Sequence, residues 1–203
     1  MNGSCASLAT PGPGDDPPNC LSGGGMKGVR VLQRRTIYTG RVVRLIQETL
    51  MMRGRRIVRE TLLHPGAVVI VPLLNGGRVV LIRQYRHAVG RQLLELPAGT
   101  LEYRESRLAC ARRELEEETG WRARRWQRLM QFYAAPGFVS EQMTIFLAEE
   151  LTQTAARPEP DELVRPVVLP LRDALAKIRS GAICDAKTII GLLVTASLKR
   201  VEK

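Results

Sequence analysis

The sequence predicts an α/β fold in which a mixed sheet lies between helical layers. Three observations carry that expectation: short β-branched or apolar runs recur along the chain, Gly, Pro and Asn punctuate them, and stretches of helical periodicity interrupt them.

Residues 1–28 are rich in Gly, Pro and Ser and show neither periodicity, so they read as a disordered tail. They lack the charged start and continuous apolar centre of a secretory signal. Gly23-Gly24-Gly25 directly before Met26 leaves a second reading open, that translation begins at Met26, since glycine codons can spell a purine-rich ribosome-binding site. Residues 29–63 form an N-terminal antiparallel β segment and 64–203 the main domain. In the β segment, Thr36–Glu48 and Arg55–Leu63 read as strands joined at Arg53-Gly54, a hairpin signal. His64-Pro65-Gly66 then breaks the chain. Ala67–Leu74 reads as a buried strand, and Asn75-Gly76-Gly77 as a tight turn into Val79–Gln84. Leu93–Pro97 is a short strand and Ala98–Tyr103 a loop. Ser106–Thr119 is a helix closed by Gly120, in the position that favours a left-handed cap. Strands follow at Arg125–Tyr133 and Met143–Glu150, then a loop at Ala155–Asp161 and another strand. Leu171–Ser180 is helical, Gly181 ends it, and Asp185 caps a last helix running to Arg200. No internal repeat is visible.

Composition bounds the function. A chain of 203 residues suits one medium domain and can bury a real core. No run approaches the roughly 18 apolar residues of a membrane span, so a soluble protein without a membrane partner is expected. The formal charge of +11 invites a nucleic-acid reading. The arginines, however, are scattered in pairs such as Arg34-Arg35, Arg55-Arg56 and Arg124-Arg125 without interleaved aromatics, so no nucleic acid is expected. Positive charge serves a small phosphorylated substrate equally well. Cys5, Cys20, Cys110 and Cys184 show no metal-ligand spacing, and reduced thiols in a cytoplasmic protein are expected. Cys110 reads as a small apolar filler.

Chemistry is concentrated in the helix Ser106–Thr119. Glu114, Glu117 and Glu118 occupy positions i, i+3 and i+4, which share one helix face about 5–6 Å apart. Leu108, Ala111 and Leu115 form the buried stripe beside them. Three anions so placed repel one another unless a cation stands among them. Arg113 is one candidate, and a divalent ion with its preference for carboxylate oxygen is the better one. On spacing alone a solvated acidic face, common on surface helices, is the preferred reading of the trio.

The surrounding run, Gly99 to Trp121, resembles the signature of the Nudix hydrolase superfamily. That signature asks for a glycine, a glutamate six residues on, arginine-glutamate-apolar, two glutamates, a glycine and an apolar residue. Here these are Gly99, Glu105, Arg113, Glu114, Leu115, Glu117, Glu118, Gly120 and Trp121. The resemblance implies the Nudix α/β/α sandwich and hydrolysis of a nucleoside diphosphate linked to a small group, with Mg²⁺ or Mn²⁺. It implies that Glu114 and Glu118 ligate metal, that Glu117 is a further ligand or the proton acceptor, and that the Ala98 carbonyl completes the metal's shell. Arg113 and Glu105 become a supporting ion pair, Gly99 and Gly120 permit backbone turns, and Glu116 is merely solvated.

LELPAGTLE (Leu94–Glu102), RQYR (Arg83–Arg86) and AAPGFVSE (Ala134–Glu141) are similar to the ADP-ribose and nucleotide-sugar pyrophosphatase branch. So are YTGRVVRL, RETLLHPGAVVIV and DAKTIIGLL (Asp185–Leu193). That branch implies a homodimer whose N-terminal strands help build the partner's site. Arg41 and Val42 then flank the base, Glu60 bonds to it, Gly137 borders the pocket, and Arg86, with Arg83, holds the phosphates. Glu141 resembles a mobile-loop glutamate that approaches the metals. Arg41, Arg83 and Arg86 read equally well as exposed strand arginines. No N-terminal tryptophan is present to stack on adenine, so GDP-mannose stands beside ADP-ribose as a substrate. A nucleotide sensor of the same fold is a rival, but the box keeps every glutamate and no DNA-reading domain is expected after Arg200. An RNA-processing enzyme would need a basic stripe.

Overall fold

A computed structural model of the chain describes residues 28–155 and 163–201. The expected tail, the start at Met26 and nearly all of the expected loop at Ala155–Asp161 lie outside these residues. The described residues fall into two compact units, 28–65 with 135–140, and the rest.

The first unit is an antiparallel sheet of β1 (Val29–Thr39), β2 (Arg44–Met52) and β3 (Arg55–Leu63) in that order. The single strand expected over Thr36–Glu48 is thus two strands. The chain turns at Gly40, whose N–H donates to the Val43 carbonyl at 2.9 Å. A Cβ there would lie 2.9 Å from Cε1 of the exposed Tyr38, which would have to give way to it. At the β2–β3 turn Arg53 and Gly54 both take positive φ, 50° and 75°, the pattern of a two-residue hairpin whose twist matches its strands. The Leu62 N–H bonds to the Phe138 carbonyl (2.8 Å) and the Ser140 N–H to the Leu62 carbonyl (2.9 Å), which joins residues 135–140 to β3.

The second unit holds β4 (Ala67–Leu74), β5 (Arg78–Arg86), β6 (Arg91–Glu95), β7 (Ala98–Thr100), β8 (Trp121–Tyr133), β9 (Gln142–Gln153) and β10 (Val164–Pro170). Its helices are α1 (Arg107–Thr119), α2 (Leu171–Arg179) and α3 (Ala186–Val201). The strand order is β10-β5-β4-β9-β8, with β6 added to β5 and β7 to β4. β4 and β9 run parallel and every other pair antiparallel, so the sheet is mixed. The loop expected from Ala98 begins instead as strand β7, because Ala98–Thr100 find ladder partners in Ala67–Val69.

Alternation along β4 builds the layers, since successive side chains leave a strand on opposite faces. Val68 and Ile70 pack with Cys110, Ala111 and Leu115 of α1. Val69 and Val71 pack with Ala174 of α2 and Leu192 of α3. All nine are fully buried. At Gly191 of α3 a Cβ would meet Leu96 Cδ1 at 2.6 Å, so the helix lies against the sheet with no room for a side chain. The sheet ends at β8, which carries the exposed Arg122, Arg124, Arg125 and Arg128 and shifts register between Arg128 and Met130. Among the described residues no helix is long and apolar enough to cross a membrane.

Candidate active site

Local rules place α1. The Ser106 hydroxyl accepts from the Ala109 N–H at 3.2 Å as its N-cap. At the other end Gly120 (φ 69°) closes the helix, its N–H donating to the Glu116 carbonyl. With Ala111 and Leu115 turned into the core, Glu114 and Glu118 fall one turn apart beside that stripe. They are buried to 9% and 2% exposure. Glu117 stands nearer solvent, its side chain a third exposed.

Arg113 gathers the acidic groups. Its Nε and Nη2 donate to Glu105 Oε1 and Oε2 at 3.0 and 3.1 Å. Its Nη1 donates to Glu114 Oε1 at 2.8 Å and to Glu117 Oε2 at 3.0 Å. Those bonds, led by the one to Glu105, raise the guanidinium's pKa further. Burial pushes the Glu105 carboxyl up, but the Arg113 bonds outweigh it and the net pKa is lowered. Glu118 turns instead toward β7, where its Oε2 accepts the Ala98 N–H at 3.0 Å. The next residue, Gly99, lies so close to Glu114 that a Cβ would stand 1.8 Å from its Oε1. Cys110 is buried under this loop, and burial pushes its thiol pKa well up, as a filler requires.

The structure therefore brings Ala98, Gly99, Glu105, Arg113, Glu114, Glu117 and Glu118 into one cluster. Glu114 and Glu117 both accept from Arg113, and among the described residues no three acidic, histidine or cysteine side chains are gathered as a metal cage. The donor set nonetheless suits a hard cation. Two buried carboxylates on one helix turn face a strand whose backbone, bare at Gly99, comes up against them. Glu116, expected to be merely solvated, pairs with Arg122 through bonds of 2.6 and 2.7 Å.

A second charged group, of which the sequence singled out Arg86 and Asp185 but not Glu95 or Lys187, lies on β5, β6 and the start of α3. Arg86 Nε and Nη2 donate to Glu95 Oε1 and Oε2 at 2.9 and 2.7 Å. Lys187 Nζ bonds to Glu95 Oε2 and stands 3.0 Å from Asp185 Oδ1. Asp185 also caps α3, accepting from the Thr188 N–H (3.0 Å) and hydroxyl (2.6 Å). Thr188 in turn accepts the Leu96 N–H at 2.8 Å. Burial raises the Glu95 pKa, yet the Arg86 bonds and the charges of Lys187 and Arg86 prevail and lower it. Burial works against the charge on Arg86 as well, but Glu95 first, then Glu118 and Asp185, raise its pKa overall. The signal was available: Glu95 is an acid inside the apolar run Leu93–Leu96, and Lys187 a base in the first turn of an apolar helix.

Arg83 is exposed on β5. Glu141 is half-buried just before β9, its carbonyl accepting the Ala134 N–H at 3.1 Å. In the first unit Arg41, Val42, Glu60 and Gly137 are all exposed. Glu60 accepts from Gln47 Nε2 at 3.2 Å, and Gln47 Oε1 accepts from Arg35 at 2.7 Å.

The family model described as NUDIX domain matches residues 63–189. An ADP-ribose pyrophosphatase of Bacillus subtilis (strain 168) is 36% identical over 162 residues, covering 78% of this chain and 88% of its own. A GDP-mannose pyrophosphatase of Yersinia pestis (strain Pestoides F) is 39% identical over 135 residues, 62% of this chain and 67% of its own. The crystal structure of an ADP compounds hydrolase superposes with a TM-score of 0.77 at 23% identity, over 88% of this chain and 98% of that one, and shares the fold.

Proposed function

Since this chain belongs to the Nudix family of hydrolases, we propose that it hydrolyses the diphosphate bond of ADP-ribose or a related nucleotide sugar. Water attacks one phosphorus, the P–O–P bridge opens, and a nucleoside monophosphate and a sugar phosphate leave. The observation that carries this reading is the buried pair Glu114 and Glu118, one helix turn apart against the Ala98–Gly99 backbone.

That pair, with the Ala98 carbonyl, is the seat for Mg²⁺ or Mn²⁺. Such an ion, when bound, neutralises phosphoryl oxygens and lowers the pKa of water. The chain's own residues do the rest. Arg113, fixed by Glu105, orients Glu114 and Glu117. Glu117 or Glu141 takes the proton of the attacking water. Arg86 and Arg83 hold the diphosphate, for which a planar fork of donors is suited. Arg41, Val42, Glu60 and Gly137 serve the base, in a homodimer that shares its N-terminal strands, in the cytoplasm. The GDP-mannose pyrophosphatase relative favours a second substrate of the same class, GDP-mannose.

Purified protein with Mg²⁺, given ADP-ribose, GDP-mannose, dinucleotides and nucleoside triphosphates, tests the proposal. Release of AMP from ADP-ribose or GMP from GDP-mannose supports it. Nucleotide binding without turnover of any of them, at saturating Mg²⁺ or Mn²⁺, favours a sensor and refutes it.

A further inference from the structure

We infer, resting on the pyrophosphatase reading above, that Lys187 is a positioning residue: through Glu95 it sets the guanidinium of Arg86 that receives the substrate's diphosphate. Glu95 sits at the end of β6 with its side chain 1% exposed, and both of its oxygens are engaged by Arg86 from the neighbouring strand. That fork uses Nε and Nη2 and leaves Nη1 outside the contact, so the arginine's plane is fixed while one amino group stays available.

A single carboxylate facing a single arginine would cancel most of the charge that an incoming anion could feel. Lys187 places a second cation on the same carboxylate, at Oε2. Glu95 thus divides its charge between two cations rather than spending it all on Arg86, while Asp185 on the lysine's other side brings the four groups to no net charge. A carboxylate this deep also needs its partners complete, because a buried ion left half-paired rearranges or becomes neutral. Asp185 holds the lysine from its other side at 3.0 Å while capping α3 through Thr188, which ties the ammonium to the start of the helix. Arg86 itself feels the Glu118 carboxylate, which links this group to the metal-seat helix.

The test is binding without turnover. Wild type, Lys187→Met, Arg86→Gln and the double variant are titrated calorimetrically with ADP-ribose and with GDP-mannose in EDTA. Lys187→Met is expected to weaken the tighter of the two about tenfold, with Lys187→Arg recovering binding to within about threefold. In the Arg86→Gln background the same change is expected to cost less than about twofold, because the lysine acts only through that arginine. Should the methionine variant not fold, Lys187→Gln carries the same cycle. Unchanged affinity in the lysine variant, or losses that simply add, overturn the role of Lys187 alone. A wild type that binds neither nucleotide in EDTA yet hydrolyses one with Mg²⁺ overturns this role alone, and one that also hydrolyses neither overturns the pyrophosphatase reading.

Discussion

Arg113 and Glu105 meet through two parallel hydrogen bonds, 3.0 and 3.1 Å long, across the loop that leads into α1. The remaining amino group of the same arginine is left to hold Glu114 and Glu117.

A lysine cannot reproduce that fork, since its ammonium is a point charge rather than a planar donor set. Arg113→Lys is therefore expected to lower kcat by about 10- to 100-fold, the usual cost of loosening a group that orients metal ligands. Steady-state kinetics at saturating Mg²⁺ measure it, and an unchanged kcat contradicts the orienting role.

Glu118→Gln keeps the size of the side chain and removes its charge. Loss of one charged ligand is expected to cost about 3 kcal/mol of transition-state stabilisation, roughly a hundredfold in kcat, with the circular dichroism spectrum retained. EDTA is expected to abolish wild-type turnover and added Mn²⁺ to restore it. Turnover that survives EDTA sinks the metal seat.

Gly99→Ala puts a methyl group 1.8 Å from Glu114 Oε1, so either the carboxylate or the strand must move. Overpacking of this kind costs about 1–3 kcal/mol, or roughly 2–4 °C in Tm per kcal/mol for a domain of this size. Activity is expected to fall with it, because the displaced group is a proposed ligand. Differential scanning calorimetry beside the assay shows whether the two losses travel together.

The lowered pKa of Glu95 has a definite sign in stability. A carboxylate easier to ionise in the folded state contributes stability that is complete above the unfolded value, about 4.3, and is lost as pH falls through the native value. Glu95→Gln is thus expected to be less stable than wild type at neutral pH, with the gap closing as pH drops below about 4. Urea midpoints across pH 3 to 7 read this directly. A gap independent of pH contradicts the assignment.

Much of this architecture can be read from local rules. Gly120, Ser106 and Asp185 mark helix ends because each satisfies backbone groups that the helix cannot, and all three act so in the structure. The acidic box was legible for a related reason, since spacing on one helix face is set by the helix itself. Thr36–Glu48 misled because the turn at Gly40 is closed by a backbone bond to Val43, which a pattern of β-branched residues does not show. β7 was missed because three residues alone carry no periodicity, and their partner strand lies thirty residues earlier. The Arg86–Glu95–Lys187 group depends on pairing β5 with β6 and on docking α3. Long-range pairing of that kind leaves only a weak trace, a charge within an apolar run.

The thirteen-residue strand that closes the sheet also has a consequence for handling the protein. Unpaired strand borders template growth by a second molecule, and clustered positive side chains together with a broken register are what discourage it. Replacing Arg124 and Arg128 by threonine is expected to leave catalysis untouched and to increase self-association on concentration, which light scattering reads.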